Sequence, residues 1–136
     1  FSGLRADMHV LAERMAGILG SQELVYRLVT VADNECSRFH LDSTPFRLIC
    51  TYQGPGTQWL ADTQVDWTAL GRGAGNDGII RFGTPSQLQP FWVGILKGGS
   101  VRARQGLVHR SPTIVGSGQI RVLFCLDCDG LATIRS

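Results

Sequence analysis

The sequence predicts a mainly β domain, a sandwich or barrel of short strands with one helix at its start. Three observations point there. One early stretch repeats its apolar residues with a helical period. Everything after Gly20 breaks into short β-branched and aromatic runs between Gly and Pro turns. At 136 residues, 43% hydrophobic and only 18% charged, the chain suits one globular domain, residues 1–136.

The helix spans 3–19. Leu4, Met8, Leu11, Met15 and Ile18 step by 4, 3, 4 and 3 along one face, Ser2 can cap the start and Gly20 can end it. His9 lies off that stripe and reads as a solvated helix residue. Strands follow at "ELVYRLVTVA" (23–32), "FRLICTYQ" (46–53), "PFWVGILKGG" (90–99), "GLVHR" (106–110) and "QIRVLFCLDC" (119–128). Asp129-Gly130, between apolar runs, signals a hairpin into "LATIR". "GAGNDG" (73–78) satisfies GxGxxG, but "IIRF", which reads as a strand, follows it where a dinucleotide fold needs a helix. The stretch from Gly71 to Gly78 therefore reads as a mobile loop.

Composition excludes several function classes. Lys and Arg total 13 against 11 acids, a net charge of +2, and no basic run interleaves with aromatics, so no nucleic-acid partner is expected. No apolar stretch reaches the roughly 18 residues of a membrane span, and a cytoplasmic location is the expectation. Phe rather than Met at position 1 reads as a trimmed chain. Cys36, Cys50, Cys125 and Cys128 are too few for a disulfide scaffold. Cys125 and Cys128 have CxxC spacing, but strand alternation sends them to opposite faces, so reduced, packed cysteines are expected.

The chemistry concentrates in "RFHLD". In a strand, residues i and i+2 face the same way, so His40 and Asp42 can reach one metal ion together. Phe39 and Leu41 then face away, where the N-terminal helix could cover them. His109, 69 positions on (109 − 40), supplies a third ligand from another strand. Two imidazoles and one carboxylate form the facial triad that holds non-haem Fe(II) and leaves positions open. The bland alternative for His40 and Asp42 is a hydrogen-bonded pair at a strand end. Arg121 follows His109 by 12 positions and shares a strand face with Leu123 and Cys125. Pointing inward, it needs an anionic partner, such as a carboxylate ligand beside the metal; the bland alternatives are a salt bridge to an acid such as Asp66 or Asp77, or simple exposure.

The order HxD, distant His, then Arg on the next strand resembles the Fe(II)/2-oxoglutarate-dependent oxygenase superfamily. Arg47, Thr51, Tyr52 and "GPGTQW" (54–59) are similar to a strand and turn of its prolyl-hydroxylase branch. The blocks "CSRFHLD", "LICTYQGPGTQWL", "ILKG", "LVHRSP" and "IRVLFCLD" look more closely like the bacterial domain-of-unknown-function family eighteen twenty-six. The superfamily resemblance implies a double-stranded β-helix, a cupin-like jelly roll. It implies His40, Asp42 and His109 as metal ligands and catalytic centre, Arg121 as anchor for the distal carboxylate of 2-oxoglutarate, and Tyr52 or Arg47 as a second cosubstrate contact. The implied activity is a dioxygenase that hydroxylates a small-molecule or protein substrate. Genes of the bacterial family lie near those of zinc-homeostasis GTPases, which makes zinc the rival to iron. The alternative reading is thus a non-catalytic zinc-binding protein, with Cys36 as a softer donor; a third is a cupin-type hydrolase or isomerase using zinc-bound water. Trp59, Trp67 and Trp92 are candidates for the mouth of the site or for core.

Overall fold

The computed structural model describes residues 2–20, 23–34 and 36–128. Helix α1 (Ser2–Leu19) comes first, and Gly20, at φ +63°, ends it in the left-handed conformation glycine tolerates. Four strands then form one antiparallel sheet: β1 (Leu24–Val31), β2 (Phe46–Gln53), β5 (Val93–Lys97) and β7 (Arg121–Cys128), in the order β1-β7-β2-β5. Between them, β3 (Gln58–Trp59), β4 (Ser86–Gln87) and β6 (His109–Arg110) make a small second sheet in the order β4-β3-β6. The expected architecture is present at the coarser level, mainly β with antiparallel sheets and an N-terminal helix. A closed jelly-roll barrel is not seen, because no strand pairing joins the two sheets among the described residues. The expected "LATIR" hairpin lies outside the described residues.

Alternation in the large sheet gives each face its own core. Leu48, Phe124, Leu126 and Cys128 point to one side and pack with Met15, Met8, Leu11 and Leu19 of α1. Ile18 is exposed and Leu19 packs in its place, so the buried stripe is rotated slightly from the expected one. Ile49, Leu96, Leu123 and Cys125 point to the other side, against Leu88 and Leu107 from beside the small sheet. Cys125 and Cys128 thus face opposite ways as alternation requires, and all four cysteines are free.

A third core lies beyond the small sheet. Phe39, Leu60, Val65, Ile79 and Val108 are buried there, with Leu41, Trp67 and Leu70 against them. Phe39 and Leu41 do turn away from His40 and Asp42, but this core covers them, not α1 as expected. The stretch 71–78 also differs from the expected loop. It runs between two short helices, α2 (Trp67–Gly71) and α3 (Asn76–Ile79). The Asn76 side chain accepts from Phe39 N at 2.9 Å and donates to Ser37 O at 3.0 Å, while Arg38 donates to Gly73 O and Ala74 O. These polar ties were invisible to an apolar pattern. "IIRF" contributes a single bridge, Ile80 to Val65, rather than a strand.

Candidate metal centre

His40 and His109 come together by backbone pairing. Each donates its N–H to the other's carbonyl, at 3.0 and 3.1 Å, extending the small sheet by one residue pair. Asp42 is fixed from the other side, where Gly99 N donates to Asp42 O at 3.0 Å and Gly98 N to Pro45 O at 2.9 Å. A Cβ on Gly98 would lie 1.8 Å from Thr44 O and 2.8 Å from Asp42 O, so only glycine permits this approach. Gly98→Ala should therefore push the Asp42 segment away and cost about 1–3 kcal/mol or more by overpacking. Urea unfolding of the variant checks this; a midpoint equal to wild type would show that the segments part freely.

The three side chains converge as the sequence spacing requires. Ligand atoms from His40, Asp42 and His109 all lie within 4.8 Å of one another. The Nδ1 atoms of His40 and His109 lie 2.8 Å from Arg38 O and 2.9 Å from Leu107 O. A carbonyl only accepts, so each Nδ1 carries a proton, and in the neutral ring Nε2 keeps its lone pair. That second hydrogen bond is how metal-binding histidines are oriented. Both Nε2 atoms face Asp42, at 3.6 Å from Oδ1 for His40 and 3.4 Å from Oδ2 for His109. Asp42 is 6% exposed and its Oδ2 accepts no hydrogen bond. Two converging imidazole lone pairs and an orphaned buried carboxylate oxygen are costly unless a cation or a proton sits among them. The donor set fits a divalent ion.

Protons compete for this position. Asp42 raises His40 above its ordinary 6.5 by hydrogen bonding, against the opposing effect of burial. Burial would raise the Asp42 carboxyl, but the His109 and His40 imidazoles and the Arg47 guanidinium hold it well below its ordinary 3.8. The two linkages have opposite signs. His40 contributes stability fully below pH 6.5, lost as pH rises through its folded value. Asp42 contributes above pH 3.8, lost as pH falls through its lower folded value. Chelator-treated protein should therefore be most stable between those limits and lose Tm from pH 6 toward pH 9. A Tm that climbs over that range would contradict the coupling.

Arg47 sits on the inner face of β2, but not as a free anion contact. It donates from Nη1 to Asp42 Oδ1 at 2.8 Å, from Nε to Asp127 Oδ1 at 2.5 Å and from Nη2 to Asp127 Oδ2 at 3.0 Å. Tyr52 has the opposite parity. It points to the helix side and donates its hydroxyl to Asp7, away from the triad, so the expected cosubstrate contact is corrected. Arg121 is fully buried, and neither expected acid, Asp66 or Asp77, pairs with it. Its partners are neutral: Pro55 O at 2.8 Å, Ser111 Oγ at 2.8 Å and Thr57 Oγ1 at 3.3 Å. Burial lowers its pKa. Arg110, of opposite parity to His109, stacks 4.4 Å over the Phe39 ring.

A cavity of about 220 Å³ opens beside the triad. His40, His109, Arg47, Thr57 and Ser111 line it, together with Arg27 and Cys36. Cys36 lines this space but is not among the converging ligands. None of the three tryptophans does; Trp67 joins the third core and Trp92 is exposed. Sequence reasoning missed Asp127, Thr57 and Ser111. Asp127 was legible in principle, since it shares the inward parity of Arg121, Leu123 and Cys125 on β7.

A family model described as "Protein of unknown function (DUF1826)" matches residues 1–127. The chain belongs to this family. The DUF1826 match includes the whole triad, Arg47 and Arg121, and it brings no oxygenase or cupin relationship with it. No curated protein and no solved structure matches this DUF1826 chain.

Proposed function

We propose that this DUF1826 protein is a non-haem Fe(II)- and 2-oxoglutarate-dependent oxygenase, with the metal on His40, Asp42 and His109. The observation that carries this reading is the convergence of two Nε2 lone pairs, from histidines that line a cavity, on an unpaired, buried carboxylate oxygen. Three protein ligands leave positions for a chelating cosubstrate and oxygen. When bound, the iron would supply oxygen activation.

The chain's own residues would bind, orient and exclude water. Two guanidiniums, of Arg27 and Arg47, and no carboxylate are among the described residues that line the cavity, and a divalent ion would add to that positive charge. An anionic cosubstrate suits this field. Arg121 would act through two hydroxyls. Ser111 Oγ and Thr57 Oγ1 accept from the guanidinium, so their own protons are free to be donated to a carboxylate in the cavity.

The same donors suit zinc, and the exposed Cys36 on the cavity wall favours that second reading, a zinc-binding protein without oxygenase activity. One experiment separates the two. The protein is purified anaerobically, its metal is identified, and 2-oxoglutarate is titrated into the Fe(II) form. A perturbed iron spectrum, with succinate formed once oxygen is admitted, supports the oxygenase. Tight zinc and no response to 2-oxoglutarate would sink it.

A further inference from the structure

We propose that Arg47, itself gripped by Asp127, is a positioning residue that makes Asp42 a one-oxygen ligand and so keeps three coordination positions open. The inference rests on the metal reading above, and it concerns how many positions the protein occupies.

The two oxygens of Asp42 have different surroundings. Oδ1 lies 3.6 Å from His40 Nε2 but already accepts from Arg47 Nη1 at 2.8 Å, while Oδ2 lies 3.4 Å from His109 Nε2 and accepts nothing. A carboxylate free on both sides can turn and bind a hard cation through both oxygens. Here that turn would break a charge-assisted hydrogen bond on the Oδ1 side. Arg47 cannot follow the turn. Its Nε and Nη2 fork the Asp127 carboxylate, and the β2–β7 register sets these two residues directly opposite. Arg47 and Asp127 are 19% and 17% exposed, so water competes weakly for the pair.

The consequence is arithmetic of coordination. In an octahedral site, two imidazoles and one carboxylate oxygen leave three positions; a two-oxygen carboxylate leaves two. Two positions cannot take a two-point chelator and a further small ligand together. Arg47 thereby sets which ligands the centre can accept, without touching the ion.

The test uses Mn(II)-loaded protein and the relaxation of water protons, which counts waters held on the ion. Wild type should hold three. Arg47→Met should hold two, so the inner-sphere relaxation enhancement falls by about one third at full Mn(II) occupancy. Arg47→Lys, which can still donate to Oδ1, should restore the wild-type value. A wild-type centre with two waters, or an Arg47→Met centre that keeps three, would overturn the proposal. Should Arg47→Met fail to fold, the wild-type water count alone decides, three supporting and two overturning. Absence of bound Mn(II) in wild type would instead remove the metal reading itself, a different result.

Discussion

Asp42→Ala, His40→Ala and His109→Ala are each expected to abolish tight binding of one divalent ion, while His9→Ala leaves it intact. The asymmetry follows from position. The three triad residues bring their ligand atoms within 4.8 Å of one another, whereas His9 is exposed on α1. Loss of a mere supporting hydrogen bond around a metal costs 10- to 100-fold in affinity, and loss of a ligand should exceed that. Asp42→Ala should be the most severe, because it removes the only negative charge among the donors. Calorimetric titration of chelator-stripped protein with Zn(II), and with Fe(II) under nitrogen, reads the result. Equal affinities across wild type and the three triad variants would leave the proposed function without its foundation.

Arg121 carries the second large effect. Arg121→Gln keeps a donor for Pro55 O but removes the positive charge behind Ser111 and Thr57. Hydrogen bonds to charged groups contribute about 1.5–3 kcal/mol. At ~1.4 kcal/mol per decade, 2-oxoglutarate should bind the Fe(II) form roughly 10- to 100-fold more weakly. Metal affinity should be unchanged, since Arg121 is not a ligand. Ser111→Ala should weaken 2-oxoglutarate in the same direction if the charge acts through that hydroxyl. A variant with wild-type 2-oxoglutarate affinity would assign Arg121 to the fold alone, holding the turn at Pro55.

Much of this site was legible because strand parity is a strict rule. It put Arg121 with Leu123 and Cys125 on one face of β7, as the structure has them. His40 and Asp42 do converge, but from an isolated bridge and a loop, not from the strand their spacing suggested. The same rule, applied to β2, separates Arg47 from Tyr52. The superfamily resemblance offered the two as equivalents, and parity would have corrected it. What sequence could not show was which cation meets which acid. Arg121 looked in need of a carboxylate and found neutral acceptors. Arg47 looked like a cosubstrate contact and found Asp127, 80 positions away, through a sheet register that no local pattern encodes. The expected loop at 71–78 failed for a related reason. Its polar ties come from the Asn76 and Arg38 side chains reaching across the chain, and ties of that kind leave no periodicity.

The mutual backbone pair between His40 and His109 also bears on how the protein reaches its native state. Closing a contact across 69 positions (109 − 40) carries a loop entropy that local structure cannot offset. Until that closure, a nascent chain offers an ion only the adjacent His40 and Asp42, a weak two-point grip. High affinity for the proposed ion would therefore appear late in folding. An ion that binds the native chain well and the unfolded chain poorly stabilises by its full mass-action term, about 4 kcal/mol at a thousand times Kd. Metal supply would then set how long a finished molecule survives proteolysis, more than how fast it forms.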